Sequence, residues 1–158
     1  MKHIFHNSRE FIKYTVYTAF LLITTLFILY NSVADYDKSH EVSDSVSVII
    51  LQNNQAITES VKMQVRKAAH LIEYAALGVA VITLAKQVEK DFGKKYYSMT
   101  LFYVLAVAVI DEHIQSFSDR TSSTSDILLD FTGAVIGMLA VLGTMWIVKR
   151  IRRIKKGE

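Results

Sequence analysis

The stretch 106–120 places chemically active side chains in and directly after an apolar run. The run ends at two adjacent carboxylates, Asp111 and Glu112, which are followed by Gln115 and Arg120. On an α-helix Asp111 and Gln115 are four residues apart and Glu112 and Gln115 three apart, so all three share one face. A charge inside a membrane costs roughly 2.5–3.5 kcal/mol on insertion scales, unless it faces protein, water or a counter-ion. The pattern therefore indicates a functional site.

A second polar stripe lies at the start of another apolar segment. Its members recur at three- and four-residue spacing, which places them on one helix face. They are Arg66, His70, Glu73 and Tyr74. An alternative for His70 and Glu73 is an interfacial pair whose polar ends reach the headgroup region.

A third stripe begins with Asp126 and Asp130, four residues apart, and continues through Gly133 and Gly137. Asp126 also suits a helix N-cap, whereas Asp130 lies one turn deeper and capping does not account for it. A Gly-x-x-x-Gly pattern lets a second helix approach closely. We expect the two glycines to serve mainly in packing, and a homo-oligomer through Gly133 and Gly137 is a further alternative.

One histidine with several carboxylates, a tyrosine and two arginines allows three kinds of site. In an acid–base site, His70 would be tuned by Glu73 or Asp111, while Arg66 and Arg120 held an anionic group. A metal site would use His70 with the carboxylates, but the sequence has no Cys and no second His at ligand spacing. We therefore expect no metal and no other cofactor. A non-catalytic pocket would use the same groups to hold a polar head group or a peptide.

Four apolar segments must position these side chains. The chain has 158 residues, is 51% hydrophobic, has a mean hydropathy of +0.27 and contains no Pro and no Cys. Its apolar residues fall in blocks long enough to cross a bilayer. The predicted spans are 12–31, 67–86, 97–117 and 126–148. The sequence thus predicts an all-α, polytopic membrane protein of one domain, built as a four-helix bundle.

Two features between the first and second spans leave alternatives open. Apolar residues recur at three- and four-residue spacing over 43–65, which predicts an amphipathic helix outside the membrane. A solvated loop with a short helix is the alternative. The sequence Ser32-Val-Ala34 resembles a signal-peptide cleavage site. We expect the first span to be retained, because it is longer than a usual signal core and three more spans follow.

The distribution of positive charge predicts the orientation. Of the 18 Lys and Arg residues, 13 lie at the N-terminus, in the loop 86–95 and in the tail 149–158. The positive-inside rule then places both termini in the cytoplasm and the polar stripes near the outer ends of their helices. The basic clusters flank apolar spans and carry no recognition motif, which excludes a nucleic-acid partner. The sequence predicts a multi-pass plasma-membrane protein whose tail lies against an anionic inner leaflet.

Taken with their spacing, these motifs resemble the VanZ-like family, small integral membrane proteins named for a teicoplanin-resistance determinant. The matching pieces are Arg66-Lys-x-x-His-x-x-Glu-Tyr-x-x-x-Gly78, Asp111-Glu-x-x-Gln-x-Phe117 with Arg120, and Asp126-x-x-x-Asp-x-x-Gly-x-x-x-Gly137. The resemblance implies a role in glycopeptide tolerance in a Gram-positive bacterium. It implies altered access of the antibiotic to the cell surface rather than a rebuilt peptidoglycan precursor.

The leading prediction is a binding protein whose outward-facing pocket holds a lipoglycopeptide or a lipid-linked cell-wall component. The predicted pocket residues are Arg66, His70, Glu73, Tyr74, Asp111, Glu112, Gln115, Arg120, Asp126 and Asp130. One alternative is a membrane-embedded hydrolase or transferase with His70 as acid–base, assisted by Glu73 and Asp111. The other is a structural partner that docks a second membrane protein through its Gly-x-x-x-Gly surface.

Overall fold

Four α-helices make up the described part of the chain. The structure, a computed structural model, describes residues 8–50, 55–116 and 124–156, with side chains for 10–33, 61, 63–116 and 124–156. The helices are α1 (Ser8–Ile50), α2 (Gln55–Phe92), α3 (Tyr97–Ser116) and α4 (Thr124–Lys156). No strand occurs in these residues, and each helix contains a stretch long and apolar enough to cross a membrane. The predicted all-α, four-helix membrane fold is confirmed.

The apolar stretches agree in position with the predicted spans. They are Glu10–Val33, Met63–Phe92, Tyr97–Ser116 and Thr124–Lys156. Large apolar side chains point outward along all four, for example Ile23 and Phe102, which are 64% and 67% exposed. An apolar surface of this extent suits contact with lipid.

The first helix is longer than its apolar span. The sequence predicted a separate amphipathic helix over 43–65, but α1 continues without a break to Ile50 and α2 begins at Gln55. A separate helix between the first two spans is therefore not confirmed. The physical reason lies in the sequence, since no Pro and no Gly precedes Gly78 to end a helix.

The closest helix pair, α2 and α4, is joined by glycines. A Cβ atom added at Gly137 would overlap the backbone carbonyl of Ala75, and one added at Gly133 would come within 2.6 Å of the Leu71 carbonyl oxygen. Gly78 makes the reciprocal contact from α2, since a Cβ atom there would overlap the backbone of Ala134. The Gly-x-x-x-Gly face thus serves packing within the chain. An oligomer through Gly133 and Gly137 would have to displace α2.

A small apolar core joins all four helices. It includes Ile28 of α1, Leu77 of α2, Val104 of α3 and Ala134 of α4, each almost fully buried. Side-chain hydroxyls add a contact at mid-span, where Thr25 and Tyr103 lie 2.9 Å apart. The core fixes α1 and α3 against the α2–α4 pair.

The end of the bundle at which α2 ends and α3 begins is closed by a turn and a polar network. Gly93 adopts a φ of 68° and its N–H bonds the carbonyl of Glu89 at 2.9 Å, the αL cap that ends α2. Lys86 donates to Glu89 at 2.7 Å and to the hydroxyl of Tyr97 at 2.6 Å. Tyr97 in turn donates to Glu89 at 2.7 Å. These contacts fix the start of α3 against the end of α2, and so set the depth at which the other end of α3 lies.

Candidate functional site

The carboxylate of Asp111 is the centre of a polar cluster at the far end of α3. Asp111 has no exposed surface. The hydroxyl of Ser32 on α1 donates to its Oδ1 atom, and the hydroxyl of Tyr74 on α2 donates to its Oδ2 atom at 3.0 Å. Tyr74 is itself fully buried. Hydrogen bonds from two other helices therefore fix the position of this carboxylate.

His70 lies between Asp111 and a second buried carboxylate. Its Nδ1 atom is 3.9 Å from Asp111 Oδ2 and 3.8 Å from Asp130 Oδ1. Both distances are longer than a hydrogen bond and within ion-pair range. Because Asp130 belongs to α4, the three side chains come from three helices.

Asp130 is buried without full compensation. Its side chain is only 2% exposed, and within the described residues its Oδ2 atom has no hydrogen-bond partner. A buried acceptor left unsatisfied costs about 1–3 kcal/mol, and more when it is charged. The protein therefore holds an oxygen that is set up to receive a further partner.

Two more predicted residues of α3 are buried beside this group. Glu112 is 4% exposed and Gln115 is 6% exposed, whereas His113 faces outward. This agrees with the predicted shared face of Asp111, Glu112 and Gln115.

A narrow cleft leads from the cluster to the end of the bundle. Its free volume is about 10 Å³, which is room for about one water molecule. The lining residues are Arg66, Lys67, His70, Glu112, Gln115, Asp126, Leu129 and Asp130. At its rim Lys67 pairs with Asp126 at 3.3 Å, across the α2–α4 contact. The cleft is thus basic on its α2 side and acidic on its α3 and α4 sides.

Glu73 is bonded by the first helix. It accepts a hydrogen bond of 2.9 Å from the side-chain amide of Asn31 on α1. The acids described within 4 Å of His70 Nδ1 are Asp111 and Asp130. Glu73 therefore ties α1 to α2, while Asp111 is the better placed of the two carboxylates predicted to tune His70.

The structure thus brings together nine of the ten predicted site residues or places them directly beside the cluster. His70, Tyr74, Asp111 and Asp130 form the cluster itself. Arg66, Glu112, Gln115 and Asp126 line the adjoining cleft, and Glu73 lies on the α1 side. The tenth, Arg120, lies outside the described residues.

Sequence reasoning missed the contribution of the first helix. Ser32 bonds Asp111 of the cluster and Asn31 bonds the neighbouring Glu73, but the sequence analysis considered Ser32 only as part of a cleavage site. The available signal was helical spacing, since Ser32 lies one turn beyond Ile28 and both are buried. Cleavage after Ala34 would remove both polar residues from the cluster. Sequence reasoning also missed Lys67 as a site residue. It is exposed at the rim of the cleft, and its charge was the signal that could have identified it.

Comparison with known proteins identifies a family for this chain. A family model described as VanZ/LLP1 matches residues 14–148, a range that includes the whole of the polar cluster. No curated protein and no solved structure matches the chain. The match covers most of the 158 residues. With its four apolar helices and its motifs at the cluster, the chain belongs to the VanZ/LLP1 family.

Proposed function

We propose that this protein binds an amphiphile at the outer surface of the plasma membrane and thereby confers low-level resistance to teicoplanin-type glycopeptides in a Gram-positive host. The ligand is a lipoglycopeptide or a lipid-linked cell-wall component. One observation carries the proposal: buried polar side chains from all four helices meet at one end of a membrane-spanning bundle. Membership of the VanZ/LLP1 family supports it.

The energetic argument starts from the burial of charge. Asp111, Glu112 and Asp130 are at most 4% exposed, at the ends of helices that are otherwise apolar. Each carboxylate in a span costs roughly 2.5–3.5 kcal/mol unless it is compensated. A packing role alone would be met by apolar residues, which are often at least as stable as buried ions. The cluster is therefore better explained by a ligand-binding role than by stability.

The size of the cleft limits how a ligand binds. With room for about one water molecule, the interior does not admit a sugar or a peptide. The head group therefore lies at the rim, where Arg66 and Lys67 are cationic and Asp126 is anionic. Exposed apolar side chains lie near these helix ends, on the faces turned away from the cleft, including Ile72 of α2 and Leu128 of α4, which are 69% and 61% exposed. An acyl chain lies along them, as expected for an amphiphile.

The orientation in the proposal follows from charge. Of the 18 Lys and Arg residues, 13 lie at the N-terminus, in the loop 86–95 and in the tail, so both termini are cytoplasmic and the cluster is outside. The cluster then faces the side of the membrane where glycopeptides act.

Growth inhibition by teicoplanin tests the proposal. The wild-type protein and the variants His70→Ala, Asp111→Asn and Asp130→Asn are produced at equal membrane levels in a susceptible Gram-positive host. We expect the wild type to raise the inhibitory concentration and the three variants to return it to that of the empty vector. Asp91→Asn is the matched control, because Asp91 lies 21 residues further along α2 than His70, roughly 30 Å at 1.5 Å per residue.

A second antibiotic separates recognition of an amphiphile from a general change in the envelope. A glycopeptide without an acyl chain lacks the apolar part that the flanking surface binds. We expect the wild type to give little protection against it. Equal protection against both antibiotics, or full teicoplanin resistance in the three variants, contradicts the proposal.

One observation favours a second candidate, a hydrolase or transferase that acts on a lipid-linked substrate. His70 Nδ1 lies within 4 Å of two carboxylates, which would support the imidazole as a proton acceptor and donor. Incubation of purified protein with a membrane lipid extract, followed by mass spectrometry, tests this function. Product formation that is lost in His70→Ala and kept in Asp91→Asn supports the enzyme. Ligand binding without any product supports the binder.

A further inference from the structure

The side chains of His70, Asp111 and Asp130 present one ligand atom each within 4.8 Å of one another. Imidazole nitrogen and carboxylate oxygen are the donors that bind first-row divalent metal ions such as Zn²⁺ and Mn²⁺. Metal–ligand distances are about 2.0–2.2 Å, so neighbouring ligand atoms lie about 3.4 Å apart around a tetrahedral ion. The distances of 3.8 and 3.9 Å from His70 Nδ1 exceed this by about half an ångström, and all three ligand atoms lie within 4.8 Å of one another, so an ion would draw His70 and Asp130 toward the fixed carboxylate of Asp111.

A separate observation points to Asp130 as a ligand for a cation. The side chain of Asp130 is only 2% exposed, and its Oδ2 atom has no hydrogen-bond partner within the described residues. A carboxylate oxygen in this state is stabilised by a cation, and the adjoining cleft has room for about one water-sized particle. The cleft excludes a large ligand from this position but not an ion.

The surroundings of Asp111 match those of a metal-binding carboxylate. Metal ligands are held in place by hydrogen bonds from neighbouring groups. Ser32 and Tyr74 supply two such bonds, one to each oxygen of Asp111, from α1 and α2. The carboxylate is therefore oriented before an ion arrives.

We propose that His70, Asp111 and Asp130 form a binding site for one divalent transition-metal ion, Zn²⁺ or Mn²⁺. This revises the expectation from the sequence that the cluster holds no metal. The expectation rested on the lack of a second His or Cys at close spacing, whereas the three ligands here come from three helices. The inference does not depend on the proposed amphiphile, because the metal ion alone is the probe.

Calorimetric titration of the purified, tag-free protein tests the site. The protein is stripped with a chelator in detergent and titrated with Zn²⁺ or Mn²⁺. We expect binding at one equivalent for the wild type, together with a rise in Tm. His70→Ala and Asp130→Asn lose this binding. Tyr74→Phe, which removes a bond to a ligand rather than a ligand, weakens it about 10- to 100-fold.

Two control variants separate this site from adventitious binding. His113→Gln removes an exposed imidazole close by, and Asp91→Asn removes a carboxylate at the opposite end of the bundle. Both retain the one-equivalent binding. Circular dichroism without metal establishes that each variant folds, and Asp130→Asn keeps the size of the side chain. If the wild type binds no ion at one equivalent, or if Asp130→Asn binds as the wild type does, the inference is wrong.

Discussion

At the scale of single residues, the site depends on how Asp111 is held. Each of its two oxygens accepts one hydroxyl hydrogen bond, from Ser32 and from Tyr74. A buried carboxylate that loses a donor retains its desolvation cost, so such bonds matter more than their net strength suggests. The position of His70 between two acids follows from this arrangement, because Asp111 provides one side of it.

Replacing Tyr74 by Phe removes one hydroxyl and leaves the ring in place. We expect the free energy of unfolding to fall by about 1–3 kcal/mol, because the buried carboxylate of Asp111 loses a hydrogen-bond donor. Thermal unfolding of the metal-free protein in detergent measures the effect. Tyr30→Phe is the control. Because Tyr30 is 61% exposed, we expect this variant to lose little free energy of unfolding. Equal stability of the two variants would mean that the Tyr74 hydroxyl contributes nothing.

Residue spacing was sufficient to identify side chains that share a helix, but not those that meet across helices. The shared face of Asp111, Glu112 and Gln115 follows from helix geometry alone. The bonds from Asn31 and Ser32 do not, because they depend on the depth and rotation of α1 against α2 and α3. Packing of the whole bundle sets these two quantities, and no local pattern encodes them.

At the scale of helices, the α2–α4 pair is the frame of the site. Both His70 and Asp130 lie within two turns of the glycine contacts, on α2 and α4 respectively. The sequence predicted the close approach from Gly133 and Gly137 but not its partner, which is α2 of the same chain. The sequence predicted the span within α1 but not that the helix continues beyond it to Ile50. Hydropathy reports where lipid ends, whereas Pro, Gly and caps report where a helix ends.

Gly137→Ala tests the role of this frame. The added Cβ atom would overlap the Ala75 carbonyl, so the helices must separate. We expect a loss of about 1–3 kcal/mol in the free energy of unfolding, as is typical of overpacking. Gly143→Ala is the matched control on the same helix, because a Cβ atom there meets nothing within 4 Å. If Gly137→Ala is as stable as Gly143→Ala, the close contact between α2 and α4 is wrong.

At the scale of the whole molecule, the two ends of the bundle differ in character. One end carries the buried acids and the cleft. The other carries the Lys86–Glu89–Tyr97 network and the basic tail of α4, which includes Arg150, Arg153 and Lys156. This asymmetry underlies the proposed orientation.

Because the chain contains no Cys, single cysteines report its orientation directly. Thr124→Cys places a thiol at the start of α4, and Tyr96→Cys places one just before α3. We expect a membrane-impermeant maleimide to label Thr124→Cys in intact cells, and Tyr96→Cys only after permeabilisation. The reverse pattern would place the cluster on the cytoplasmic side and contradict the proposed function.

Because α4 supplies Asp130, the site is complete only after α4, the fourth of the described helices, has been synthesised. Until then the α2 surface around His70, Leu71 and Ala75 is uncovered. A nascent chain that stops before α4 leaves His70 without Asp130 and with one side open to lipid, where a charged group costs roughly 2.5–3.5 kcal/mol. An unfinished chain thus exposes a polar surface of α2 that the finished protein buries.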